Sequence, residues 1–92
     1  MKDAIRSLSR AAAVEWGSDL IRVNVIAPYT DSPSMIPDLA SRGGPSSYNI
    51  PLGRVGDAEN DIGRVSVFLA SEDASYLTGQ FLVLDGGFAY HR

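Results

Sequence analysis

The chain contains no cysteine, one lysine (Lys2), one histidine (His91) and one tryptophan (Trp16). Without cysteine it holds neither a disulfide framework nor a thiolate metal site, and no metal is expected. Basic residues are few and scattered, eight Lys and Arg against eleven Asp and Glu, for a net charge of -3. That leaves no positive stripe to track a phosphate backbone, which argues against nucleic acid as a partner. Long apolar runs are missing too. One of the longest, Val65 to Ala70, is interrupted by Ser66 and falls far short of the about 20 residues a spanning helix needs, so no membrane partner is expected. Residues 2–10 carry four charges and no apolar core, unlike a cleavable signal, and a cytoplasmic location is the expectation. There is no internal repeat. A length of 92 residues bounds the chain to one small domain or a piece of a larger one.

What is present is organised around Ile21 to Ser32, Ile-Arg-Val-Asn-Val-Ile-Ala-Pro-Tyr-Thr-Asp-Ser. Its β-branched, apolar opening reads as a buried strand that ends at a proline unable to donate to a sheet ladder. Ligands in open α/β sheets lie beyond the carboxyl ends of parallel strands, which puts Pro28 to Ser32 where a ligand would be. Asn24 is the residue out of place in this strand, and its amide requires partners if buried; a structural hydrogen bond is favoured over a catalytic role.

Before the strand, Asp3 to Trp16 is alanine-rich, with Ala4, Ile5, Leu8, Ala11, Ala12 and Glu15 at helical spacing. Gly17 is expected to close this helix in the left-handed conformation. After the strand, all five prolines and Gly43, Gly44, Gly53 and Gly56 fall between residues 28 and 56, too many breakers for a long element. Met35 to Arg42 reads as a short helix with Met35, Ile36 and Leu39 on one side. A connection of this length suits a lid or binding loop, over residues 33–50. Asp57 is placed to cap a second long helix, Ala58 to about Ser71, with Glu59 and Asp61 near the positive end of its dipole; Val67 and Phe68 widen its apolar face toward two-sided burial. Phe81 to Leu84 is a wholly apolar strand closed by Asp85-Gly86-Gly87. The order helix, strand, loop, helix, strand makes the two strands parallel, because a helix separates them.

Five blocks now stand in one order: Ala-Val-Glu-Trp-Gly, Ile-Arg-Val-Asn-Val-Ile-Ala-Pro, Ile-Pro-Leu-Gly-Arg-Val-Gly, Phe-Leu-Ala-Ser-Glu-Asp-Ala-Ser-Tyr-Leu-Thr-Gly-Gln and Val-Leu-Asp-Gly-Gly. Over nearly all 92 residues, this order resembles the C-terminal third of a short-chain dehydrogenase/reductase. The resemblance implies an α/β fold, the C-terminal part of a doubly wound Rossmann-type parallel sheet, of which this chain forms a single partial domain. It also implies an oxidoreductase using NAD or NADP on a hydroxyl or carbonyl substrate.

The family's pyrophosphate-binding glycine turn has no counterpart here, and its catalytic tyrosine would fall before Met1. Lys2 matches the lysine that follows that tyrosine by four residues, holds the cofactor ribose and lowers the tyrosine's pKa. Pro28, Thr30 and Ser32 match the stretch that binds the nicotinamide carboxamide. There the chain departs from the pattern: Tyr29 stands where the family has glycine or that glycine is deleted, and Ser32 replaces the usual threonine. An ordinary Ser/Thr turn fits Thr30 and Ser32 as well. Met35, Ile36 and Leu39 would face substrate. The last helix and strand would pair with a second copy, giving a homo-oligomer. A non-enzymatic interaction module built from that helix and strand is the alternative.

Overall fold

The structure, a computed structural model, describes residues 2–30 and 50–88. Helix α1 spans Lys2–Trp16 and strand β1 spans Val25–Pro28. Helix α2 begins with a wide π-helical stretch, Ala58–Gly63, and continues as α-helix over Arg64–Ala70; strand β2 spans Phe81–Leu84. The chain resolves into two compact units: Met1–Ile26 with Ser66–Leu82, and Ala27–Val65 with Val83–Arg92.

The two strands pair directly in one sheet, and their hydrogen bonds show the direction. Val25 N–H donates to the Gln80 carbonyl at 2.9 Å and Tyr29 N–H to the Leu84 carbonyl at 3.1 Å. The donor and the acceptor advance together along the chain, so the strands run parallel, as the intervening helix requires.

Within the first unit, α1 does not bury the face its apolar periodicity marks out. Leu8 is 73% and Val14 80% exposed, while Ala13 is buried. The close contact is instead made by small groups, the Ala13 methyl lying 3.6 Å from where a Cβ on Gly79 would sit. Arg6 then lays its guanidinium over the Phe81 ring at 4.1 Å, a cation–π contact.

Strand β1 is shorter than the apolar run that announces it. Residues 21–24 lie outside it because their polar groups are used by the segment before β2. Val23 N–H donates to Thr78 Oγ1 at 3.0 Å, and its carbonyl accepts from Gly79 N–H at 2.7 Å. The Asn24 amide donates to the Leu77 carbonyl at 2.9 Å and accepts from Gln80 N–H at 3.1 Å, the structural role expected of it. Arg22 reaches the end of α2, donating to the carbonyls of Leu69 at 2.7 Å, Ala74 at 2.9 Å and Ser71 at 3.4 Å. The Ser71 and Ala74 carbonyls also accept turn bonds from the N–H groups of Ala74 and Leu77, so one planar guanidinium joins the end of α2 to the turn Glu72–Ala74.

Two expectations are corrected here. Gly17 is not left-handed: the chain tightens into a 3-10 turn over Gly17–Asp19, and the left-handed residue is Leu20, at φ 62° and ψ 30°. The tighter turn moves the chain reversal three residues downstream, onto a side chain that is 90% exposed. Likewise α2 is not buried on two sides, since Val67 and Phe68 are both exposed. Among the described residues no helix is long and apolar enough to cross a membrane.

A leucine held in the left-handed region without compensating burial is strained by about 1 kcal/mol. Replacing Leu20→Gly should therefore raise the free energy of unfolding by up to about 1 kcal/mol. Denaturant unfolding of the two proteins side by side measures this, with Leu20→Ala as the variant that keeps the strain.

Candidate active-site end of the first strand

Parity along β1 decides which main-chain groups are accessible at its carboxyl end. In a strand, alternate residues turn their N–H and C=O to the same edge. Val25 and Tyr29 face β2, so Ile26, Pro28 and Thr30 face the opposite edge, where no strand pairs with β1 among the described residues. Tyr29 is consumed on both sides of its peptide, since its carbonyl also accepts from Gly56 N–H at 3.3 Å. The bridge that results pairs Thr30 with Gly56 in parallel and leaves the amide and carbonyl of Thr30 on the far edge. Pro28 is exposed and offers a carbonyl only.

The ring of Tyr29 is turned into the core of the second unit. It packs with Val55 and Phe88 against buried Ile50, its centroid 5.3 Å from that of Phe88 with 21° between the ring planes. A cavity of about 320 Å³ opens alongside, with Tyr29, Leu52, Arg54, Asp61, Leu84 and Gly86 in its wall.

Glycines after β2 permit this packing. Gly86 and Gly87 have φ of 64° and 92°. A Cβ on Gly86 would stand 2.9 Å from the Ile50 side chain, and one on Gly87 3.0 Å from Pro51. Asp85 shapes the turn by accepting from Gly87 N–H at 3.0 Å, an Asx turn. The Leu52 N–H then donates to the Gly86 carbonyl at 3.1 Å.

The entrance to α2 is latched by charge. Asp57 caps it, accepting from Asn60 N–H at 2.8 Å. Asp61 takes a bidentate pair from Arg54, at 2.5 and 3.0 Å, and accepts from Asp57 N–H at 2.6 Å. These bonds, the Arg54 donors first, hold the Asp61 carboxyl down at about 2 and push the Arg54 guanidinium above its ordinary value. Asp61 lies in the first turn as anticipated and is in addition half of an ion pair, with Arg54 outside the helix and beyond the reach of helical spacing rules.

Of the site residues anticipated from sequence, Pro28 and Thr30 lie together at the end of β1, and Lys2 opens α1. Ser32, Met35, Ile36 and Leu39 fall outside the described residues, as does the 33–49 part of the anticipated lid; its last residue, Ile50, is buried beneath Tyr29. Sequence reading missed the Arg54–Asp61 pair and the stacking of Phe88, whose only signal was an aromatic after a double glycine.

Two outcomes follow from this geometry. Gly86→Ala combines a positive φ with a contact below 3.0 Å and should cost about 2 kcal/mol or more; Gly53→Ala, also at positive φ but facing open space, should cost less, and chemical denaturation ranks the two. Because Asp61 is held below the ordinary 3.8, its pairing is fully present above about pH 4 and lost as pH falls through about 2. Asp61→Asn should flatten the acid limb of a stability–pH profile over that window and leave the neutral-pH slope unchanged.

Comparison with known proteins places this arrangement. A family model described as enoyl-(acyl carrier protein) reductase matches residues 1–89. The chain is 45% identical over 91 residues to 12alpha-hydroxysteroid dehydrogenase of a Clostridium species, covering 94% of this chain and 34% of that enzyme. It is 44% identical over 88 residues to 3alpha-hydroxysteroid dehydrogenase of Mediterraneibacter gnavus, again 34% of the enzyme. Among solved structures it superposes, at TM-score 0.85 and 34% identity, on a protein from Agrobacterium tumefaciens described as a 2-deoxy-D-gluconate 3-dehydrogenase with bound NADP, covering 97% of this chain and 37% of that one. Acetoin dehydrogenase from Enterobacter cloacae gives 0.78 and 33%, covering 99% and 35%. The chain spans about a third of the length of the relatives it matches, and over that span it belongs to the short-chain dehydrogenase/reductase family of oxidoreductases.

Proposed function

We propose that these residues form the nicotinamide end of an NAD(P)-dependent oxidoreductase acting on a hydroxyl or carbonyl substrate. The observation that carries this reading is the parity of β1. With Tyr29 locked to Leu84 and Gly56, the amide and carbonyl of Thr30 turn to the opposite edge at the strand's carboxyl end, where no strand pairs with β1 among the described residues. A primary carboxamide offers one acceptor and two donors in a plane, the complement of such a pair. When bound, a nicotinamide supplies or accepts a hydride at a carbon. The part of this chain is to orient the ring through Thr30, Pro28 and Ser32, and to hold the ribose and keep a neighbouring phenol acidic through Lys2. The names of the relatives, two of them hydroxysteroid dehydrogenases, support a secondary alcohol or ketone as the reacting group. The anticipated residues Met35, Ile36 and Leu39 would then meet its apolar body.

A second reading is association with another copy through the last helix and strand. Val67 at 71% exposure and Phe68 beside it favour it, as apolar groups on a helix normally have cover.

The test is a graft in which residues 1–92 replace the stretch they match in the Clostridium 12alpha-hydroxysteroid dehydrogenase. The graft should fold and bind NADH or NADPH with a Kd within about tenfold of the parent's. Thr30→Pro removes the outward N–H without touching the bridge to Gly56, and should weaken cofactor binding by about tenfold, the loss of one well-placed hydrogen bond. A graft that melts cooperatively yet binds neither cofactor refutes the reading.

A further inference from the structure

Tyr29 has a place in the structure that the family pattern does not foresee, since that pattern has glycine after Pro28. We propose that Tyr29, clasped by Phe88, is a positioning residue for the cofactor-side main chain at Thr30; this rests on the function proposed above.

Among the described residues the Tyr29 peptide makes two main-chain bonds, one at 3.1 Å to Leu84 and one long bond at 3.3 Å from Gly56. The 3.3 Å bond lies past the usual N–H···O distance of about 2.9–3.0 Å. Glycine at position 29 would keep these bonds but bring the widest backbone freedom of any residue. The Tyr29 ring adds a third restraint of a different kind. It lies almost coplanar with Phe88, at 21° and 5.3 Å, and both rings bear on Ile50. Two stacked planes against a buried side chain resist rotation about the strand axis, and rotation is the motion that would carry the Thr30 amide and carbonyl off the edge they face.

Phe88 cannot move independently to accommodate such a rotation. Its N–H donates to the Asp85 carbonyl at 3.2 Å, and the preceding Gly86 and Gly87 are confined by Ile50 and Pro51 on their Cα faces. The clasp therefore transmits the register of β2 to residue 30 through side chains as well as through the ladder. It also joins Ile50, the residue that follows the 31–49 segment, to Tyr29 near the start of that segment, so both roots share one restraint.

This differs from simple core filling in what it should change. A core residue sets stability; a positioning residue sets the affinity of a ligand held by its neighbour, even where the protein remains folded. The experiment uses the grafted dehydrogenase and NADPH or NADH, whichever the unsubstituted graft binds, with the variants Tyr29→Phe, Tyr29→Leu, Phe88→Leu and the Tyr29→Leu/Phe88→Leu pair. Leucine keeps apolar bulk and loses the planar stack, so all four should fold, with thermal unfolding as the check. Tyr29→Phe should match the unsubstituted graft in Kd. Tyr29→Leu and Phe88→Leu should each weaken binding by about tenfold at temperatures well below the melting transition, and the pair should be no weaker than either alone, because both remove the same contact. Unchanged Kd in both leucine variants, with any effect confined to Tm, would show Tyr29 to be core filling only and overturn the proposal. Additive losses in the pair would overturn the clasp. An unsubstituted graft that binds no cofactor sinks the functional reading, and this proposal with it, whereas a graft that binds normally while the leucine variants do too sinks this proposal alone.

Discussion

Everything at the candidate site depends on the parallel pairing of β1 with β2, because that pairing decides which edge each peptide faces. Two parallel strands cannot be joined by a tight turn, so a helix and its connections must return the chain to the same end. The return leaves the carbonyls at the end of α2 without helical partners. Arg22 and Asn24, side chains from the entrance of β1, take up carbonyls from that return path. The register is thus held at its amino end by side-chain hydrogen bonds to main chain, and at its carboxyl end by the Tyr29 peptide and its ring. A shift of one residue would exchange the edges, placing Tyr29 where Thr30 now stands.

Hydrophobic burial contributes little within the described residues. Ala13, Ile50 and Ala74 are the buried apolar side chains among them, and Leu8, Val14, Leu52 and Val67 are each at least 71% exposed. Parallel sheets are normally covered on both faces. The uncovered apolar surface is what a third of a doubly wound fold presents when considered by itself, in keeping with the share of the relatives' length that the chain spans. Local devices are correspondingly prominent: a guanidinium cap, an amide bridge, an aspartate capping α2 and a bidentate ion pair.

Much of this architecture was legible. Apolar, β-branched runs bounded by breakers marked both strands, and β2 falls where Phe81 to Leu84 predicts it. Asp57 was readable as a cap because an aspartate immediately before a helical pattern has few other local uses. Asn24 was readable as a structural amide because it sits in a mostly apolar, β-branched stretch where its amide needs partners. Less legible were features in which two distant segments share one contact. The inner side of α1 is set by Ala13 meeting Gly79, and apolar periodicity alone pointed to Ile5 and Leu8 instead. The left-handed turn fell on Leu20 because a 3-10 turn intervened, and propensity favours Gly17 for that role. Arg54 and Asp61 are seven residues apart across a helix cap, a spacing no periodic rule links.

By itself, the sequence determined the order of elements, the parallel sense of the strands and the family, since these follow from local pattern and from short motifs in a set order. Tertiary structure alone decided that Tyr29 turns its ring toward Phe88 and spends both its main-chain groups internally, leaving Thr30 to face outward. The reason is that strand parity has no meaning until a partner strand sets the register. A side chain's direction at a strand end is likewise settled by what packs behind it, here Ile50 and the double glycine after β2.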